Sequence, residues 1–205
     1  MSTAPHPGNA NDPLLQEALV RFDALLQQAA ELEASEPNAM TIATSDLAGR
    51  STARTVLMKQ FDRDGLTFFS SDHGVKGQQL AVNPRACAVF HWRTLAQQVI
   101  VEGPIHHLST KESDSYWQTR SRQSQLAAWA SRQSHALSSR DDLLMRVEQL
   151  ADEYANRDIP RPSYWHGFVL DATRIEFWQA GDARLNHRDS YERSKTGWHL
   201  QLLSP

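Results

Sequence analysis

Ala39-Met40-Thr41-Ile42-Ala43-Thr44-Ser45-Asp46-Leu47-Ala48-Gly49-Arg50-Ser51-Thr52-Ala53-Arg54-Thr55-Val56-Leu57-Met58-Lys59-Gln60-Phe61-Asp62-Arg63-Asp64-Gly65-Leu66-Thr67-Phe68-Phe69-Ser70 is the stretch that decides the fold. Three strand-like runs, Ala39 to Thr44, Thr52 to Phe61 and Leu66 to Ser70, are separated by Ser45-Asp46-Leu47-Ala48-Gly49 and Asp62-Arg63-Asp64-Gly65. Asp side chains accept bonds from nearby backbone and Gly tolerates the left-handed region, so both connections predict hairpin turns. Further strands are predicted over Ala86 to Trp92, Gln97 to Leu108, Phe168 to Leu170, Arg174 to Trp178, Tyr191 to Arg193 and Trp198 to Leu203.

Helical spacing interrupts this pattern. Leu15, Ala18, Leu19, Phe22, Leu25, Leu26 and Ala29 recur along one face of a helix over 13–33. A short helix is predicted from Val75 to Val82, ended by Asn83-Pro84. Ser109-Thr110-Lys111-Glu112 fits a capping box that starts a helix running to about Arg120. Ser124 to Ser131 and Ser139 to Asn156 follow, the latter with Leu143, Leu144, Val147, Leu150 and Tyr154 largely on one side. Short hairpins with helices inserted late predict a mainly β protein with peripheral helices, an α+β barrel. Residues 1–12, rich in Pro, Asn, Gly and Ala, read as a flexible N-terminal arm ahead of a single domain over 13–205.

The 205 residues carry a net charge of -3 and a pI near 6.3, against a general nucleic-acid binder. No apolar run is long enough for a membrane span, and no secretory signal is visible, so a cytoplasmic protein is expected. Cys87, the single cysteine, sits in an apolar run and reads as a buried spectator thiol. No His-Glu-x-x-His and no Cys/His cluster with zinc spacing occurs, and His106-His107 is a strand dipeptide with rings facing opposite ways, so no metal site is expected.

The residues with chemical promise are cationic and aromatic. Trp178 precedes Arg184 and Arg188, whose planar guanidinium forks suit phosphate or carboxylate. Flat apolar surface beside fixed positive charge fits an anionic ligand with a planar ring. By itself Arg54-Thr55-Val56-Leu57-Met58-Lys59 reads as an edge strand with solvated charges. Lys76, close to a predicted helix start, offers an ammonium beside backbone N–H groups, a ready anion site. Tyr116, Arg120 and Ser124 recur at spacing four and would line one face of an unbroken helix as a phosphate site.

Taken in order, Arg54 to Lys59, Gln133-Ser134, the Trp178 to Arg188 segment and the terminal Leu203-Ser204-Pro205 resemble the pyridoxamine 5'-phosphate oxidase family, from about Asn38 to the end. The resemblance implies an FMN-binding split β-barrel working as a homodimer, with FMN at the subunit interface. It implies that Arg54, Thr55, Val56, Leu57, Lys59, Phe69, Ser70, Lys76, Gln98, Gln133, Ser134, Trp178 and Arg188 bind the cofactor. It assigns the substrate's phosphate to Lys59, Tyr116, Arg120 and Ser124, and the substrate ring to Arg184 and Asn186, the expected catalytic pair. The implied reaction passes a hydride from pyridoxamine or pyridoxine 5'-phosphate to FMN, with O2 as final acceptor.

Two positions depart from the family pattern. Many relatives carry an arginine where this chain has Val75, so one phosphate contact, worth about 1.5–3 kcal/mol, is expected to be absent. Relatives acting on vitamin B6 phosphates typically read Arg-Leu-His where this chain reads Arg184-Leu185-Asn186. Asparagine keeps a donor but cannot titrate. If that position moves a proton, the change costs roughly 10²–10⁴ in rate; if it only positions substrate, little. The resemblance therefore also admits a PhzG-type oxidase of reduced phenazine carboxylates, or a flavin binder without turnover.

Overall fold

The computed structural model describes residues 12–32 and 36–205. Residues 1–11 of the expected arm lie outside that range. Asp12 is ordered as the cap of helix α1 (Pro13–Leu32): its Oδ1 accepts from Leu14 N at 2.9 Å. Leu15, Ala18, Phe22, Leu25 and Ala29 form the buried stripe of α1, the face that the spacing predicts. Phe22 meets Phe61 and Phe90 edge to face, with ring centroids 4.8 and 5.0 Å apart.

Strands β1 (Ala39–Ser45) and β2 (Ser51–Leu57) form the first hairpin, β3 (Gln60–Asp62) and β4 (Gly65–Ser71) the second, and β5 (Arg85–Trp92) and β6 (Gln97–His107) the third. After three helices come β7 (Trp165–Leu170), β8 (Arg174–Gln179), β9 (His187–Ser194) and β10 (Gly197–Leu202). The main path runs β10-β9-β8-β6-β5-β1-β2, all antiparallel. β6 also turns aside to pair with β7, which carries β4 and β3. The sheet thus curls into a split barrel, closed over by α1 and filled by Phe68, Phe90, Val99, Val101, Phe168 and Phe177.

Helix α2 (Val75–Val82) crosses from β4 to β5, while α3 (Thr110–Thr119), α4 (Arg122–Ala130) and α5 (Arg140–Glu153) build a second core around Trp117, Leu126, Ile159 and Trp165. The capping box at Ser109 and Glu112 forms as predicted. Among the described residues no helix is long and apolar enough to cross a membrane.

Four local expectations change. The strand predicted over Thr52 to Phe61 breaks after Leu57: Met58 N still follows the β1 register and bonds Asn38 O (2.9 Å), whereas Lys59 N bonds Thr67 O (2.8 Å). The chain passes there from β1 to β4. The helix predicted from Ser124 starts at Arg122, since Ser121 caps it by accepting from Ser124 N. In α5 only Val147, Leu150 and Ala151, with Tyr154 just beyond, pack on the second core; Leu144 is exposed. Cys87 is half-buried rather than buried, and burial pushes its thiol up to about 11, so it stays protonated near neutrality.

Because Phe22 joins α1 to the barrel, Phe22→Ala should cost about 3–5 kcal/mol. Guanidinium unfolding at fixed protomer concentration measures this; a loss below ~1 kcal/mol would mean that α1 docks through its other residues.

Candidate active site

β2 is the edge strand of the main path, as its charges suggest, but those charges are not simply solvated. A cleft of about 600 Å³ opens beside it, lined by Arg54, Thr55, Val56, Leu57 and Lys59 from the β2 side, and by Phe69 and Ser70 from β4. Val75 and Lys76 at the start of α2, Tyr116, Arg120 and Ser124, and Gln133 and Ser134 complete it. Fourteen residues line the cleft, and none is acidic. Among the described residues, none of Arg54, Lys59, Lys76 and Arg120 makes an ion pair with a carboxylate.

The floor is the start of α2. Gly74 precedes it with no side chain capping the first-turn N–H groups, so they and the dipole are available to an anion. A Cβ at Gly74 would stand 2.5 Å from Gln133 Oε1 and would push that side chain out of its place in the cleft. Lys76 is buried; its Nζ bonds Ser70 Oγ and lies 3.4 Å from Gln133 Oε1, which also accepts from Ser70 Oγ at 3.2 Å. Burial first, and then repulsion from Arg54, push the ammonium down to about 8, while Asp72 opposes the shift. Arg54 donates to Thr44 Oγ1 at 2.7 Å and to Thr52, whose hydroxyls both donate to Gln79 Oε1. Burial lowers the pKa of Arg54 too. Ser134 holds φ at +66°, an uncommon backbone for serine of the kind that clusters at functional sites.

The opposite wall is aromatic. Phe69 stacks on Tyr116 at 3.8 Å and on Trp165 at 5.2 Å. Arg120 lies 4.5 Å over the Trp165 ring and donates to Ser124 O at 3.0 Å, and burial lowers its pKa. The helix carrying Tyr116, Arg120 and Ser124 is not unbroken: Arg120 takes an extended ψ of 145° between α3 and α4. All three still reach the cleft, because that kink turns Arg120 inward over Trp165. Trp165 was not singled out from the sequence; no spacing links it to Arg120.

A second group lies elsewhere. Gln98, Trp178 and Arg188 are register neighbours across β6, β8 and β9, so they form a row on one face. Arg188 is held by buried Glu176 (2.8 Å) and by Ser204 O (2.9 Å), and the Glu176 bond raises its pKa. Arg184 is exposed, at φ +66° beside Ala183 at φ +52°. Asn186 Oδ1 accepts from Gly181 N at 3.2 Å and closes this loop. Because the partner is an N–H, the oxygen is committed and the amide nitrogen is the donor left for a ligand. None of these five residues lines the cleft of the same chain.

Residues 26–154 match the pyridoxamine 5'-phosphate oxidase family, and residues 165–205 match the pyridoxine 5'-phosphate oxidase C-terminal dimerisation region. A pyridoxine/pyridoxamine 5'-phosphate oxidase of Alkalilimnicola ehrlichii is 43% identical over 94% of this chain and 99% of its own. Another, from Myxococcus xanthus, is 41% identical over 92% of each. Among solved structures, PhzG from Burkholderia lata 383, in complex with tetrahydrophenazine-1-carboxylic acid, superposes with a TM-score of 0.86 at 28% identity, covering 98% of both chains. Barrel, cleft and relatives together define the class, an FMN-dependent oxidoreductase on a split-barrel fold that forms a homodimer through its C-terminal region. Within that class the chain belongs to the pyridoxamine 5'-phosphate oxidase family.

The cleft fits the phosphate end of FMN: an uncapped helix start, a buried lysine without an ion-pair partner and a second, half-buried cation all lack an anion. Ligand affinity should then track the charge of Lys76. A bound phosphate favours the ammonium, so binding requires a proton once pH exceeds about 8. Inorganic phosphate binding should weaken above that pH, approaching tenfold per unit, and Lys76→Met should remove this dependence. Titration calorimetry between pH 7 and 10 checks it, and a flat wild-type profile would refute it.

Proposed function

We propose that the protein oxidises pyridoxamine or pyridoxine 5'-phosphate to pyridoxal 5'-phosphate, with O2 as final acceptor and hydrogen peroxide as co-product. The observation that carries this reading is the cleft with four cations and no acid, enough positive charge for two phosphates. FMN, when bound, supplies two-electron chemistry by accepting a hydride from the exocyclic carbon and passing the electrons to O2. Arg54, Ser70, Lys76, Gln133 and Ser134 hold its phosphate at the start of α2, and Thr55, Val56, Leu57, Lys59 and Phe69 flank the remainder. Lys59, Tyr116, Arg120 and Ser124 take the phosphate of the substrate.

The row Gln98, Trp178 and Arg188, with Arg184 and Asn186, completes the site from a second copy of the chain. Two facts support this: the five residues avoid the cleft of their own chain, and four of them fall within the dimerisation region. Arg184 orients the substrate ring, and Asn186 adds a donor through its amide nitrogen. Neither moves a proton at neutral pH, so the gain comes from orientation and charge.

A PhzG-type reading is favoured by one observation, Asn186 in place of a titratable residue, and by the likeness to the Burkholderia protein. A phenazine carboxylate has no phosphate, however, and would leave the Lys59, Tyr116, Arg120 and Ser124 cluster without a ligand. Mixing FMN-loaded protein anaerobically with pyridoxine 5'-phosphate should bleach the flavin absorbance rapidly. If the flavin stays yellow but bleaches with a reduced phenazine carboxylate, the second reading replaces the first. Arg120→Ala should raise KM for the phosphate ester about 10–150-fold, the equivalent of 1.5–3 kcal/mol. An unchanged KM would remove Arg120 from the phosphate site.

A further inference from the structure

Three potential metal ligands meet outside the cleft. Asp72 follows β4, His107 is the last residue of β6 and His166 is the second residue of β7. The β4–β7 and β6–β7 pairings put Ser70 opposite His166 and His107 opposite Phe168, which draws the three side chains together. His166 Nε2 lies 3.1 Å from one Asp72 oxygen and His107 Nε2 4.0 Å from the other. One ligand atom from each residue lies within 4.8 Å of the others. No sequence spacing reveals this group, because strand pairing alone assembles it.

We propose that Asp72, His107 and His166 form a divalent transition-metal site of zinc type, with water completing the coordination. This site stands independently of the substrate reading. The ligand set, two imidazoles and one carboxylate, selects zinc-like ions over magnesium, which prefers oxygen ligands. Zinc bonds of about 2.0–2.2 Å imply ligand separations of roughly 3.3 Å in a tetrahedral site. The Asp72–His166 separation of 3.1 Å already matches, and His107, with its side chain 49% exposed, has room to swing inward. That exposure also gives the ion an entry path and leaves a position for water.

The surroundings of His166 favour a neutral ring. Burial first, and His107 and Arg161 after it, lower the pKa of His166, while Asp72 and a hydrogen bond with the Ser163 backbone act the other way. Arg161 Nη1 stands 3.4 Å from His166 Nδ1, a long contact, and is anchored by Trp165 O at 2.6 Å, with Nε bonded to Asp114 at 2.6 Å. Ligation through Nε2 leaves the ring proton on Nδ1, so this contact to Arg161 must open and the ring must turn toward Ser163. Such a carbonyl partner is the usual orienting contact of a metal-bound histidine. The ion would tie the turn before α2 to the ends of β6 and β7, and it would offset the Asp72 charge that now favours the ammonium of Lys76.

The test uses tag-free, full-length protein stripped with chelator and titrated calorimetrically with ZnCl2 at pH 7.5, with MgCl2 as control. Saturable binding of one Zn2+ per chain is expected, with no response to Mg2+. His166→Ala and Asp72→Asn should each weaken it by at least about 10–100-fold, the loss that even an outer-shell change produces. Co2+ substitution of the unmutated protein should give the visible absorption of a four-coordinate site, a readout that needs no variant to fold. Absence of saturable Zn2+ binding, or wild-type affinity in both variants, overturns the proposal.

Discussion

Strand β6 must serve two neighbours on the same side, and the change-over at Gly103-Pro104 is the constraint on which the rest of the barrel rests. Residues 97–102 pair with β8, and residues 105–107 pair with β7. Between them a Cβ at position 103 would stand 1.9 Å from Asp171 O, so only glycine lets the β7–β8 connection cross so close. Pro104 lacks the N–H that a continuous ladder would demand there, while its carbonyl accepts from Asp171 N at 2.9 Å. The strand splits the sheet at this point. One branch carries β8 to β10; the other carries β7 and β4, and β4 supplies one side of the cleft.

That division separates two kinds of chemistry. In the cleft, buried Lys76 and half-buried Arg54 repel each other and neither pairs with a carboxylate, an unfavourable arrangement that an anion relieves. On the branch of β8 to β10, Arg174 and Arg188 are already satisfied, sharing the buried carboxylate of Glu176. Arg188 is therefore fixed in direction before any ligand arrives, whereas Lys76 waits for one. Val75 belongs to the same account. It lines the cleft without adding charge, and the uncapped start of α2 beside it keeps backbone donors for an anion.

Much of this was legible in order along the chain. The hairpin turns at Asp46 and Gly65, the buried stripe of α1 and the capping box at Ser109 follow from local physics, because each rests on residues within a few positions of one another. The break after Leu57 was not legible: it arises where Met58 still holds the β1 register and Lys59 already bonds β4. Nor was the kink at Arg120, where helical spacing suggested an unbroken face and a serine cap restarted the helix instead.

The sequence by itself determined the mainly β architecture and the family, because turn chemistry, periodicity and ordered motifs are local or additive signals. Tertiary structure alone decided which of those residues meet. It gathered Arg54, Lys76 and Arg120 into one cleft, set Gln98, Trp178 and Arg188 in a separate row, and joined Asp72 to His107 and His166. Such meetings depend on strand register between distant segments, and register is fixed by packing over the whole barrel rather than by any window of the chain.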